Sequence, residues 1–256
     1  MSRRRQEPKR SSQKNSGAQT TVTLKLRSKH VVQMYDLVEL PPPRSGSRGI
    51  VLEYISGSEL QCAGYSPEGN DYLKILWQIA CGVRDIHRAG IIHRDLKPNN
   101  MRIDSEGTVK IFDFGLARDL GDAAVTIGRI GTPAFMAPEL WRNGTTSFDQ
   151  SIDVYAFGVT ALALAVPGLE AVNTYVGLHA PIAFPSGLIA EKFLGMPAHL
   201  SPLLERCLDH DHRTRPTMKV VVAHLEKYLL QGRHRALLEP PRVCRRLQLP
   251  NRMEPL

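Results

Sequence analysis

Asp95, Lys97, Asn100 and Asp113 are the residues whose types and spacing best suit chemistry. The first three fall within "HRDLKPNN" (93–100), and Asp113 follows the apolar stretch "VKIF" (109–112). Asn100–Ile103 and Thr108–Phe112 read as two short strands joined by a turn at "DSEG" (104–107). Antiparallel pairing around that turn brings Asn100, opening one strand, to Asp113, just past the other. A carboxylate and an amide carbonyl facing one spot are hard oxygen donors, suited to Mg2+ held jointly with phosphate oxygens. With Asp95 to orient a hydroxyl and the Lys97 ammonium beside a transferring phosphate, the set holds the parts of phosphoryl transfer. Catalysis there is mostly positioning plus charge stabilisation.

Longer elements must position these residues. From Asp71 to Ala89 the apolar positions Leu73, Leu76, Ile79, Ala80, Val83 and Ile86 recur at helical period, and Gly90 stands where such a helix stops. Upstream, "VVQMYDLVEL" (31–40) and "GIVLEYI" (49–55) are rich in β-branched residues and flank the turn-forming "PPPRSGSR" (41–48). They predict a hairpin. Past residue 139 the chain reads as helical, with candidates at 151–166, 199–209 and 216–230. There is no internal repeat.

Composition bounds the class. The 256 residues are 42% hydrophobic and 23% charged, an ordinary globular balance. The net charge of +8 is uneven. Residues 1–30 hold nine Lys/Arg and one acid, residues 31–228 hold 18 basic and 22 acidic side chains, and residues 229–256 hold six Arg and two Glu. A mildly acidic body thus carries basic ends, expected as solvated tails. No aromatic residue interleaves with the basic run "MSRRRQEPKR" (1–10), which argues against stacking on nucleic acid. Cys62, Cys81, Cys207 and Cys244 show neither disulfide nor metal-ligand spacing, as expected in a reducing compartment. The most apolar run, "VYAFGVTALALAV" (154–166), is short for a membrane span and reads as a buried helix. No apolar segment follows the basic N-terminus, so no signal peptide is expected. A soluble, cytoplasmic protein is the expectation.

"HRDLKPNN" (93–100), "DFG" (113–115) and "APE" (137–139) occur in the order of the protein-kinase signature set. The chain resembles the eukaryotic-type serine/threonine protein kinase family from about residue 28 to about residue 230. "LEYISGSEL" (52–60) looks like the hinge that holds adenine, "GTPAFMAPE" (131–139) like the end of an activation segment, and "DVYAFGV" (153–159) like a buried helix bracing the catalytic loop. The resemblance implies ATP and Mg2+ as cofactors and a protein substrate. It implies that Asp95 is the catalytic aspartate, that Lys97 neutralises the γ-phosphate, and that Asn100 and Asp113 bind Mg2+. It places the Glu53 and Ile55 backbone on adenine, Leu52 at the back of that pocket, and Glu59 near the ribose. Lys97 and Thr132 favour Ser/Thr over Tyr as acceptor. Arg94 is expected to read a phosphate on the activation segment, for which Thr126 is the candidate, although a plain loop threonine is the competing reading. His93 and Phe114 are expected to serve as packing. Asp153 and the pair Glu139–Arg215 are expected to be structural, because a buried charge needs a partner.

Two departures stand out. Gly17 is the only glycine before residue 46, no acid lies between residues 8 and 35, and no strand lysine of the "VAIK" type is present. The family's Gly-rich loop and Lys–Glu pair therefore cannot be assembled from this sequence. Second, Arg102 stands where the family places an apolar residue beneath adenine. It can stack on the base or disfavour the site by desolvation, and sequence leaves both open. The expected fold is α+β and protein-kinase-like: a basic tail at 1–22, a truncated upper lobe of about two strands with the hinge at 23–55, a mostly α-helical lower lobe at 56–230, and a basic tail at 231–256. Three readings stay open: a working kinase, a catalytically inactive pseudokinase serving as a binding module, and a kinase fragment. Apolar surface left by missing strands calls for a covering partner.

Overall fold

The computed structural model describes residues 26–41, 48–60, 65, 70–120, 125–127, 130–141, 145–165 and 199–231. The tails expected at 1–22 and, past its first residue, at 231–256 lie outside these residues, as does the segment 166–198.

The upper part is a hairpin of β1 (Met34–Glu39) and β2 (Arg48–Leu52), paired antiparallel with Leu37 opposite Ile50 and a bulge between Met34 and Asp36. The expected strands at 31–40 and 49–55 are shorter in the structure, because ladder pairing stops at Leu52. Beyond it the chain runs on through the segment expected to be the hinge, and Glu53 N donates to Gln33 O at 2.8 Å. Apolar side chains remain at the surface of this hairpin: Tyr35, Val38, Ile50, Val51 and Leu52 are all exposed.

Below it lies a sheet in the order β3 (Gly57–Glu59), β5 (Met101–Asp104), β6 (Val109–Ile111). β3 is not apparent in the sequence. It needs glycine at Gly57, where φ is +139° and a Cβ would lie 2.0 Å from the Ile103 carbonyl oxygen. Asn100 does not open β5 as expected. It closes a 3-10 turn over Pro98–Asn100, and the strand begins at Met101. Proline, with its fixed φ and missing N–H, favours that turn start. The turn at 104–107 forms as expected: Asp104 Oδ1 accepts from Glu106 N at 2.9 Å and Thr108 N at 2.8 Å, and Gly107 takes φ +76°.

Helix α1 (Asn70–Arg88) carries the predicted apolar stripe and is complemented by Asp71 in its first turn and His87 and Arg88 in its last. Gly90, with φ +76°, ends it. β4 (Ile91–Ile92) follows and pairs with β7 (Arg118–Asp119), while β8 (Val125–Ile127) pairs with β9 (Thr145–Ser147). Helix α2 (Ser151–Ala165) is apolar on nearly every side and accordingly buried. Tyr72 Oη ties α1 to it by donating to Ala161 O at 2.7 Å. α3 (Ser201–Cys207) and α4 (Met218–Gln231) complete the described helices, each within two residues of expectation. The core lies between α1, α2 and the inner face of the β3–β5–β6 sheet. Among the described residues no helix is long and apolar enough to cross a membrane.

Candidate active site

The segment 93–100 is held from below by one carboxylate. Asp153, in the first turn of α2, is 1% exposed. Its Oδ2 accepts from His93 N at 2.8 Å, and its Oδ1 from Arg94 N at 2.9 Å. His87, in the last turn of α1, brings Nε2 within 2.9 Å of Oδ2. Burial pushes the Asp153 carboxyl up, but these donors outweigh it and hold the group below the usual carboxylate range. So pinned, the backbone at Arg94 adopts φ +69°. Gly131, with φ +108°, passes so near that a Cβ would lie 2.8 Å from Arg94 O.

Asp95 sits at the centre of a network. Thr132 donates to its Oδ1 through both N (3.0 Å) and Oγ1 (2.7 Å). Lys97 Nζ lies 2.9 Å from its Oδ2 and donates to Thr132 Oγ1 at 2.6 Å. Asn100 Nδ2 donates to Asp95 O at 2.8 Å and to Oδ2 at 3.0 Å. Burial raises the carboxyl, yet the bonds from Lys97, Thr132 and Asn100 prevail and hold it low. A carboxylate kept ionised while ringed by donors is an acceptor suited to orienting a hydroxyl.

Asn100 and Asp113 meet through the backbone, since Phe112 N donates to Asn100 O at 3.0 Å. The Asn100 amide nitrogen is committed to Asp95, which turns its carbonyl oxygen away from that carboxylate. Asp113 is exposed, takes φ +63°, and accepts from Gly115 N through Oδ1 at 3.1 Å. Among the described residues the positive-φ positions other than glycine are Arg94 and Asp113, both of them site residues. Two oxygen donors on adjacent backbone fit Mg2+, which takes few protein ligands and completes its shell with water and phosphate oxygens. No group of three or more His, Cys, Asp or Glu among the described residues offers a competing metal site.

The residues expected to form the hinge share a cavity with the β5–β6 hairpin. Glu53, Tyr54 and Ile55 border a cavity of about 300 Å³ with Asp104, Thr108 and Lys110. Ile55 is buried, Glu59 is half-buried on β3, and Leu52 is 43% exposed at the end of β2. Arg102 Nη1 stands 3.5 Å from Ile55 O.

The remaining predicted residues make packing and ion-pair contacts or stand in the strands beyond. His93 is fully buried, burial lowers its pKa, and its ring packs 4.9 Å from that of Phe114. Arg215 grips Glu139 through both terminal nitrogens at 2.8 and 2.9 Å and lies 5.0 Å from the Tyr155 ring centre. Arg94 donates through Nε to Leu116 O, and its guanidinium lies 5.7 Å from the Phe148 ring centre. Burial, and then Arg118, bring its pKa down to about 10. Thr126 stands in β8, in register with Thr146. Three contributors escaped the sequence reading. His87 is one; its signal was a polar residue beside Ile86 on the buried stripe of α1. Lys110 is another, with Nζ 2.6 Å from Glu53 Oε1. Gln78 is the third: from α1 it bonds both Val109 N and Gly107 O and so fixes the β5–β6 hairpin.

Comparison with known proteins decides what this arrangement belongs to. A model of the protein kinase domain matches residues 2–225. The chain belongs to the protein kinase family. The match reaches further toward the N-terminus than the residues from about 28 onward that carry the sequence resemblance. This kinase chain is 30% identical over 204 residues to a probable serine/threonine-protein kinase of Dictyostelium discoideum, covering 78% of the chain and 28% of that protein. It is 28% identical to the serine/threonine-protein kinase TOS3 of Saccharomyces cerevisiae, over 86% of the chain and 47% of TOS3. It is also 28% identical to the mitogen-activated protein kinase kinase kinase YODA of Arabidopsis thaliana, over 84% of the chain and 24% of YODA. The kinase chain thus spans between about a quarter and a half of the length of these curated relatives.

Proposed function

We propose that this chain is a cytoplasmic serine/threonine protein kinase that moves the γ-phosphoryl group of ATP to a protein hydroxyl. The observation that carries the reading is the network around Asp95, in which Lys97, Asn100 and Thr132 converge on one ionised carboxylate. Asp95 orients the acceptor hydroxyl and receives its proton as the oxygen attacks the γ-phosphorus and the bond to the departing ADP breaks. Lys97 holds positive charge beside the transferred group. Asn100 and Asp113 would hold Mg2+, which when bound neutralises charge on the phosphates. Leu52, Glu53, Ile55 and Glu59 form the base and ribose side of the site. Thr126 is the proposed regulatory phosphosite.

The described upper part is two strands, with the phosphate clamp of the family missing from the sequence. Turnover by this chain alone is therefore expected to be slow. Lost glycine, lysine and glutamate contacts together are worth several kcal/mol of positioning, and each ~1.4 kcal/mol is tenfold in rate. The exposed apolar residues of β1 and β2 support a partner that covers this hairpin.

The test is phosphate incorporation into the purified chain and a generic basic protein with Mg-ATP, beside an Asp113→Ala control. Incorporation that the control abolishes is expected. Incorporation equal to the control overturns turnover and leaves a chain that binds without catalysis.

A further inference from the structure

We infer that the outer edge of β2 is a dimer interface, on which β2 of a second copy of this chain pairs antiparallel about Ile50. Such pairing does not depend on the kinase reading.

Among the described residues β2 has one neighbouring strand, β1. The contacts at its end set its backbone directions. Glu53 N donates to Gln33 O at 2.8 Å and so points to the β1 side. Backbone groups alternate sides along an antiparallel strand, so the N–H and C=O groups of Leu52, Ile50 and Arg48 point the other way. β1 agrees with this: Leu37 stands opposite Ile50, and its N–H is taken by Asp36 Oδ1 at 2.7 Å and not by β2. Ile50 is 46% exposed and Leu52 43%. An exposed edge with no proline, bulge or acid on it is a template for another strand.

This edge matches itself. With a twofold axis at Ile50, Ile50 faces Ile50 of the second copy, and Arg48 faces Leu52 of the second copy. Every residue in these pairs has its N–H and C=O turned outward, so each pair exchanges two bonds. Side chains directly opposite one another share a face. Because Leu37 lies opposite Ile50 within the hairpin, an apolar row of Leu37, Ile50, Ile50 and Leu37 crosses both copies. Arg48 is the one charge on β2, and Glu39 stands opposite it in its own hairpin, so no like charges meet across the axis. The far edge of β1 carries a bulge between Met34 and Asp36, and Asp36 caps the N–H that faces out. An open inner edge between two capped outer ones makes a closed dimer, not a fibre.

The experiment follows the full chain by sedimentation velocity across a concentration series, beside Ile50→Pro and Ile50→Lys, each also melted thermally. Wild type is expected to dimerise. Ile50→Pro removes a donor that β1 does not use, and should weaken the dimer about tenfold, the scale of two lost hydrogen bonds. If the proline variant melts early, Ile50→Lys, which sets two cations on the axis, supplies the comparison. Cysteines read the register, in a chain with Cys62 and Cys244 changed to serine. Ile50→Cys brings two Cα atoms to about 5.5 Å, within disulfide reach, and should crosslink on mild oxidation. Val38→Cys, 38% exposed on the outer strand, should not. Equal crosslinking at both positions means association without register and overturns the pairing. A wild-type chain that stays monomeric overturns the dimer and leaves the edge to another protein or to residues 1–25. Phosphate incorporation by wild type judges the kinase reading separately from either result.

Discussion

Thr132 holds one oxygen of Asp95 with two donors, its backbone N at 3.0 Å and its hydroxyl at 2.7 Å. The hydroxyl also accepts from Lys97 Nζ, so it fixes acid and cation relative to each other. Thr132→Val removes this link without changing volume much. It is expected to lower kcat by about ten- to a hundredfold, the scale of a charged hydrogen bond, with little change in KM for the nucleotide. Thr132→Ser should restore most of the loss. A steady-state comparison of the three chains checks it, and a loss confined to KM would contradict it.

Asp153 ties stability to pH. Its folded pKa lies below the ordinary 3.8, so the ionised group contributes fully above that value, and the contribution is lost as pH falls through the depressed folded value. Asp153→Asn is expected to cost about 3–5 kcal/mol at neutral pH, as for a broken buried ion pair. The difference from wild type should shrink in acid. Urea unfolding at neutral pH and again below pH ~4 reads both. A gap that does not narrow would argue against the ionised carboxylate as the brace.

Arg215 cannot be replaced by lysine. Its fork meets both oxygens of Glu139, its Nε donates to Asp209 O at 2.8 Å, and its Nη1 to Ser151 O at 3.1 Å. One ammonium cannot span that set. Arg215→Lys should destabilise by about 2–4 kcal/mol, close to Arg215→Ala. Thermal melts of the two variants settle it, and a lysine variant near wild type would be the contrary result.

Asp113 carries strain for the sake of its site. At φ +63° glycine is more comfortable than aspartate. Asp113→Gly is expected to hold or raise stability, by up to about 1 kcal/mol in thermal unfolding, while abolishing Mg-dependent phosphate incorporation. A destabilised variant would show that the carboxylate is a folding element instead.

The hairpin should make the isolated chain associate. Ile50 is 46% exposed and Leu52 43%, on the same face of β2. Replacing both with lysine is expected to reduce concentration-dependent association in sedimentation velocity without lowering the melting temperature. A wild-type chain that stays monomeric at high concentration would remove the reason to expect a covering partner.

Much of the site was legible because its parts are local. Asp104 and Gly107 announce the turn, and that turn alone brings Asn100 toward Asp113. The stripe of α1 was legible because amphipathic periodicity survives in a helix with one buried face. What escaped depends on distant pairings. β3 has three residues and no apolar pattern, and only the approach of Gly57 to Ile103 defines it. The family resemblance flagged Thr132 as a mark of acceptor type, but its bonds to Asp95 cross 37 positions. The positive φ of Arg94 has no signature in residue type, because tertiary contacts impose it. Arg102 was visible as an anomaly, whereas its place between Glu59 and Lys110 required the strand register.

The anchoring of His93 and Arg94 on Asp153 divides the molecule by how its amides meet solvent. Those two N–H groups end on a buried carboxylate in the first turn of α2, and deuterium reaches them only when the helical core comes apart. The ladder of β1 and β2 has solvent around its side chains and opens by local fraying. Labelling over time will therefore exchange the β1–β2 hairpin early and the amides of His93 and Arg94 late, so that the loop retains its shape through fluctuations that dismantle the strands above it.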